Sequence, residues 1–270
     1  MSFLEGFRFR VSDSIMHRLD PRIKFLYVCV MFVIAVMYTD LLVQILLFVL
    51  QFPAVYLGKV YRQWVKSMRG AVFLAVFIIA SILLSQYFYY GYNLLLSDFE
   101  YALAMSMRFI VLVASFSIFF LTTSPDYLGL ALEQSGVPYQ FCFAFVTAVR
   151  FVPVLADEAQ RIIDAQRSRG MELEKGNFLK RVRNYIPILI PLIVNAVKRS
   201  LELAESMESR AWGSSKKRSS YYTLKLKRGD YVLTAISLAA LSLGLYLKYL
   251  VMQGAVEIPM LLSLILKPLI

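Results

Sequence analysis

Ala165-Gln166-Arg167-Ser168-Arg169-Gly170 and Glu208-Ser209-Arg210-Ala211-Trp212-Gly213 close two long helical stretches in the one polar interval, about 138–213, of an otherwise apolar chain. Each stretch puts a Ser-Arg pair on its last turn, with a glycine one or three residues later. In the first stretch Val152, Leu155, Ala156, Ala159, Ile162, Ile163 and Gln166 recur at three- and four-residue steps, and Asp157, Glu158, Arg161, Asp164 and Arg167 fill the other face. In the second, spacing assigns Val197, Leu201, Ala204, Met207 and Ala211 to the apolar stripe, with Lys198, Arg199, Glu202, Glu205 and Glu208 mostly off it. Gly170 and Gly213 are natural stops, because glycine reaches the left-handed conformation that ends a helix.

Working outward, the composition is that of a membrane protein. Of 270 residues, 59% are hydrophobic and 17% charged, and the mean hydropathy is +0.63; an ordinary soluble domain is about 45–50% apolar and about 25% charged. A net charge of +11 could point to nucleic acid. The basic residues border apolar spans, however, which favours the membrane reading and no nucleic-acid partner. Cys29 and Cys142 lie in apolar runs and imply neither a disulfide framework nor a zinc site, and the single histidine, His17, argues against a histidine metal centre. No cleavable signal peptide is expected: residues 1–24 are polar and basic, and the apolar run that follows is long and unpunctuated.

The chain reads as an all-α polytopic membrane protein with about five transmembrane helices plus long cytoplasmic amphipathic helices. Residues 1–122 are expected to hold about four spans, near 23–38, 41–57, 71–89 and 102–121, with a basic loop at 59–69. Asp20-Pro21 is a helix start, Asp capping and Pro at the first helical position. Residues 123–229 form the polar interval: a short helix after Thr123-Ser124-Pro125 that ends near Gly136, the long helix opened by Pro138 with a bend at Pro153, a basic link at 175–183, and the second long helix, kinked by Pro187 and Pro191. Residues 230–270 add a span near 231–251 and a short apolar tail at 258–270.

Sites of chemistry are scarce. The sequence contains no Gly-rich phosphate loop, Gly-x-Ser-x-Gly elbow or HExxH pair, so no catalytic residue, metal site or cofactor is expected. Asp157, Glu158 and Asp164 fit a solvated face paired with Arg161 and Arg167 better than a catalytic cluster. Arg108, near the outer end of the fourth span, is expected to snorkel toward Asp98 or Glu100. A cation at a helix C-terminus complements the macrodipole by at most about 1 kcal/mol, which would explain Arg169 or Arg210 taken singly. A repeated Ser-Arg at two successive helix ends asks for more, and arginine's planar fork suits a carboxylate-lined pocket.

The chain resembles the transmembrane T component of energy-coupling-factor transporters, the family that includes the cobalt-uptake permease subunit. The resemblance rests on His17-Arg18-Leu19-Asp20-Pro21-Arg22-Ile23-Lys24, on Leu121-Thr122-Thr123-Ser124-Pro125, on Arg150-Phe151-Val152-Pro153, and most of all on the two Ser-Arg segments, which match the family's Ala-Arg-Gly-type motifs. Serine replaces the first alanine in both, and Ala211 stands for glycine in the second. The resemblance implies coupling helices whose tips, Ser168-Arg169-Gly170 and Ser209-Arg210-Ala211, dock one each on two cytoplasmic ABC-type ATPases (A and A' type). It also implies a small membrane-embedded S component that binds a vitamin or a transition metal ion such as cobalt or nickel. ATP hydrolysis would belong to the partners. The alternatives are a permease subunit of a conventional ABC importer, offering one coupling helix and lining the substrate path, and a non-catalytic membrane scaffold without an ATPase. An integral membrane enzyme would need a convergent polar site within the spans.

Orientation follows from lysine and arginine: five precede the first span, four lie at 59–69 and seventeen between Arg150 and Arg228, against none at 39–40 or 91–101. The positive-inside rule places the N-terminus, 59–69 and the Ser-Arg interval in the cytoplasm of a cell-membrane protein. On a background without Cys29 and Cys142, an impermeant thiol reagent added to intact cells should label Asn93→Cys and spare Arg62→Cys; the reverse pattern would invert the topology.

Overall fold

The computed structural model describes residues 14, 16–89, 96–171, 177–214 and 222–253. These are helical with no strand: a 3-10 turn at Met16–Arg18, then α1 (Pro21–Met37), α2 (Leu41–Gly58), α3 (Tyr61–Tyr89), α4 (Leu96–Thr122), α5 (Pro125–Gln134), α6 (Tyr139–Ser168), α7 (Phe178–Glu208) and α8 (Arg228–Met252). Two packed units result. Among the described residues, one is built from 132–171, 177–214 and 222–223; the other from 14, 16–89, 96–131 and 224–253.

Within the larger unit, α1 and α4 form the core, each packed against three other helices. Tyr27, Val28, Val30, Met31, Ile34 and Ala35 are buried against α2, α4 and α8. A second cluster joins Val55 of α2, Trp64 and Met68 of α3, and Ala114 and Ile118 of α4. Apolar side chains also cover the outside, among them Phe73, Val76 and Phe77 on α3. Lipid tails are as apolar as leucine, so burial of such groups cannot alone drive helices together in a bilayer; polar contacts and close packing must specify the arrangement.

Those polar contacts lie in three layers. At one end, the Asp20 carboxylate caps α1 by accepting from the Arg22 N–H at 2.9 Å, with Pro21 at the first helical position, as the sequence predicts. The Asp20 N–H donates to Asp230 Oδ1 at 2.8 Å, and Asp230 Oδ2 accepts from the Lys227 N–H at 2.7 Å. One carboxylate, only 1% exposed, thus ties the beginnings of α1 and α8. Buried Lys24 donates to the Thr122 carbonyl at 2.8 Å, on the last turn of α4. Two motifs noticed separately in the sequence, Asp20-Pro21-Arg22-Ile23-Lys24 and Leu121-Thr122-Thr123, meet in that bond.

In the middle, Gln51 Nε2 donates to the Val111 carbonyl and to Ser115 Oγ at 3.1 and 2.8 Å. At the far end, Gln44 Nε2 reaches the Ala35 and Tyr38 carbonyls, and the Tyr38 hydroxyl donates to the Gly244 carbonyl at 2.7 Å. Arg108 Nη2 donates to the Tyr38 carbonyl at 2.6 Å. Arg108 therefore caps the carbonyl end of α1 instead of snorkelling to Asp98 or Glu100, because unmet helix-end carbonyls lie within its reach.

Other boundaries also move. The expected basic loop at 59–69 is the first turns of α3, anchored by Trp64, whose Nε1 donates to the Ala114 carbonyl at 3.4 Å. Five helices are long and apolar enough to cross a membrane: 41–58, 61–89, 97–122, 139–168 and 228–252. The number agrees with expectation, but the set does not. α1, at 17 residues and about 26 Å, is one residue shorter than α2 and drops out of the set by length alone. α6 qualifies through its apolar first half. The tail at 258–270 lies outside the described residues.

Removing the Asp230 carboxylate strands two N–H donors. Asp230→Ala should cost about 3 kcal/mol, and Asp230→Asn, which keeps one acceptor oxygen, distinctly less. Thermal unfolding in detergent should rank wild type above Asn above Ala; equal midpoints would show that the junction does not hold α1 and α8.

Candidate functional site

The candidate site is the pair α6 and α7. Its register is visible in five contacts. Gln166 Nε2 meets the Pro187 carbonyl at 3.4 Å. Glu158 accepts from Asn195 Nδ2 at 2.7 Å and from Arg199 Nη2 at 3.1 Å. Trp212 packs on Tyr139 and Phe143, with ring centroids 5.1 and 4.5 Å away. Partner numbers fall as those on α6 rise, so the helices run antiparallel. Arg169 and Arg210 therefore stand at opposite ends of the pair, about 40 Å apart at 1.5 Å per residue between Phe143 and Arg169.

Gln166 meets a need created by proline. Pro191 has no N–H, so it cannot bond to the carbonyl of Pro187, four residues earlier. The Gln166 amide supplies that missing donor from the neighbouring helix. Glu158, which sequence reading placed on a solvated face beside Arg161, instead bridges α6 to α7, a structural role. Asp164 accepts from Gln160 Nε2 on its own helix.

The inward face of α6 is the predicted stripe: Leu155, Ala156, Ala159, Ile162, Ile163 and Gln166 are half-buried, while Val152 is exposed. For α7 the prediction is corrected. Pro187, Ile188, Pro191, Leu192, Asn195, Ala196, Arg199, Leu203 and Met207 face inward, whereas Val197, Leu201, Ala204 and Ala211 are exposed. Only Met207 belongs to both sets. The first half of α7 is apolar on two sides, and spacing cannot tell which stripe meets α6; Ile186, Ile190, Ile193, Val197 and Leu201 form the outer one.

The two helix ends close with the same pair of cap bonds. At the end of α6, the Gly170 N–H donates to the Arg167 carbonyl and the Met171 N–H to the Gln166 carbonyl, with Gly170 left-handed at φ +80°. At the end of α7, the Ala211 N–H donates to the Glu208 carbonyl and the Trp212 N–H to the Met207 carbonyl, with Ala211 left-handed at φ 56°. Both are Schellman caps, and both place arginine at the last position before the left-handed residue. Ala211 thus takes the left-handed place of Gly170, although α7 ends at Glu208, one residue earlier relative to its arginine than α6, which ends at Ser168. Ser168 Oγ donates back to the Asp164 carbonyl, and Ser209 Oγ to the Ser206 carbonyl. Arg169 and Arg210 are both exposed, and neither guanidinium has a hydrogen-bond or ion-pair partner among the described residues.

α5 ends in the same cap at Gly136 but without an arginine. The cap alone is therefore common, and the arginine distinguishes these two tips. Sequence reading found both arginines and missed the residues that hold them apart, Gln166 with Pro187, and Trp212 with Phe143. The proline pair and an isolated tryptophan in a polar stretch were the available signals. Groups of three or more His, Cys, Asp or Glu able to hold a metal ion are absent among the described residues.

A left-handed alanine costs about 1 kcal/mol relative to glycine. Ala211→Gly should therefore slow amide exchange over the last turn of α7 about fivefold, and Gly170→Ala should speed it by a similar factor at the end of α6. Unchanged exchange in both would show that these caps are not the closing elements.

Comparison with known proteins agrees with this geometry. The family model of the cobalt transport protein CbiQ matches residues 12–221. The energy-coupling factor transporter transmembrane protein EcfT of Limosilactobacillus fermentum is 31% identical over 243 residues, covering 83% of this chain and 90% of its own length. That of Staphylococcus aureus is 30% identical over 258 residues, covering 90% and 96%. That of Ruminiclostridium cellulolyticum is 28% identical over 252 residues, covering 88% and 94%. With its helical, multi-pass architecture and matched helix tips, the chain belongs to the CbiQ cobalt-transport family, as a transmembrane T component of energy-coupling-factor transporters.

Proposed function

We propose that this chain is the coupling subunit that joins two cytoplasmic ABC-type ATPases to a small membrane-embedded S component, for uptake of a vitamin or a transition metal ion. The N-terminus, the basic start of α3 and both tips of the α6–α7 pair face the cytoplasm. ATP turnover belongs to the partners, and this chain transmits movement between them.

One observation carries the reading: two exposed arginines are presented by Schellman caps of the same type at opposite ends of one antiparallel helix pair. A separation of about 40 Å suits two bodies docking side by side, one per tip, and it makes the two contacts distinct. Arg169 and Arg210 are the docking residues. Ser168 and Gly170 at one tip, and Ser209 and Ala211 at the other, hold them through the caps. Because the caps fix the backbone, little ordering is needed when the guanidinium forks meet carboxylates.

Losing one partner of a buried, hydrogen-bonded charge pair costs about 2–5 kcal/mol, whereas a lost helix-end dipole contact costs at most about 1 kcal/mol. Arg169→Ala or Arg210→Ala should leave the protein folded and inserted, while weakening ATPase recovery in pull-down and uptake in cells. The double variant should be worse than either, and Arg→Lys should rescue only in part. Arg161→Ala and Arg167→Ala, on the same polar face, should be mild. Normal ATPase recovery and uptake with the double alanine would end this assignment.

A further inference from the structure

The two tips share a cap but differ in their surroundings. Around Arg210, the chain folds Trp212 back onto the beginning of α6, leaving a groove of about 570 Å³ beside the arginine. Phe143, Leu203, Met207 and Trp212 give it apolar walls; Ser206 and Arg210 add polar lining, and no acidic residue lines it. Near Arg169 the register set by Gln166 and Pro187 instead brings up, among the described residues, Arg183 and Asn184 at the polar start of α7.

We propose that this groove takes an apolar side chain of one ATPase, next to the carboxylate that Arg210 binds, and so selects which of two non-identical ATPases docks at the α7 tip. The proposal rests on the docking role given above to Arg210. The chemistry of the groove names its occupant. One unpaired cation at an otherwise apolar wall suits a surface segment carrying an aliphatic or aromatic residue flanked by Asp or Glu, and a well-packed pocket of this kind is where binding energy concentrates. A bare arginine fork reads only a carboxylate, which both ATPases can offer. Discrimination requires a feature that one tip has and the other lacks.

The test uses the intact complex, with the two ATPases carrying different tags and a photo-crosslinking residue placed at Arg167 or at Glu208, beside each tip. In the parent, each position should capture predominantly one ATPase. Ser206 lines the groove and its hydroxyl donates to the Glu202 carbonyl of its own helix, so Ser206→Phe fills the space while leaving the Arg210 guanidinium on the chain. It should lower capture at Glu208 at least tenfold, or let the other ATPase in, while capture at Arg167 persists and shows that the helix pair is intact. Ser206→Ala should behave as the parent. Leu203→Asn, which puts an amide into the apolar wall, should act like Ser206→Phe. Unchanged capture at Glu208 with Ser206→Phe, where Arg210→Ala abolishes it, would overturn the groove and leave the docking role standing. Equal loss at both tips would also overturn it. Unchanged capture in Arg210→Ala as well would overturn the docking role itself.

Discussion

The Asp230 carboxylate is the constraint on which the larger unit depends. It is almost completely buried, and it accepts from the N–H groups of the N-cap residues of two helices that are about 200 residues apart in sequence. In hydrocarbon an unmet backbone group costs several kcal/mol, so such a contact specifies which helix ends belong together more sharply than apolar packing can. Asp20, Lys24 and Thr122 extend it to the end of α4. The buried negative charge of Asp20 and Asp230 is opposed there by the Lys24 ammonium. Gln44, Tyr38 and Arg108 do the corresponding work at the far end of α1, Arg108 from the middle of α4. Helices fastened at both ends and at mid-depth by directional bonds have one register, which burial of leucine and phenylalanine alone would leave loose.

The α6–α7 pair is built on a different logic. Its inner face is modestly apolar, and its register is set by a few polar and aromatic contacts spaced along its length. The Gln166–Pro187 bond is the least obvious. Prolines within a helix are usually discussed as bends, but Pro191 also leaves a carbonyl free, and α6 uses that acceptor one turn before the Arg169 cap. Glu158 with Asn195 and Arg199 fastens the middle, and Trp212 with Phe143 the other end. Both arginines therefore stand on ends that are held from the side. In the reading proposed above, that support lets a push on one tip move the whole pair instead of fraying its last turn.

The sequence by itself determined the class of the protein, the existence of nearly every helix, the cap at Asp20-Pro21 and the two Ser-Arg ends. These are local matters. Hydropathy, proline and glycine placement, and three-and-four spacing act within one or two turns, and the ordered motifs brought out the family. It also showed that Arg169 and Arg210 are alike, though not that Ala211 would adopt the left-handed backbone of Gly170. Ala211 is followed directly by Trp212, which packs on Tyr139 and Phe143, some seventy residues away in sequence. Only the tertiary structure decided which stripe of α7 faces α6, because an apolar helix offers several stripes and the choice lies with its partner. It alone revealed Asp230 as the junction of α1 and α8, Arg108 as a cap on α1 and Glu158 as a bridge, since a charged residue's role is set by the acceptor or donor it reaches. The opposite placement of the two arginines was likewise beyond local reading: direction along a pair exists only once two helices have packed.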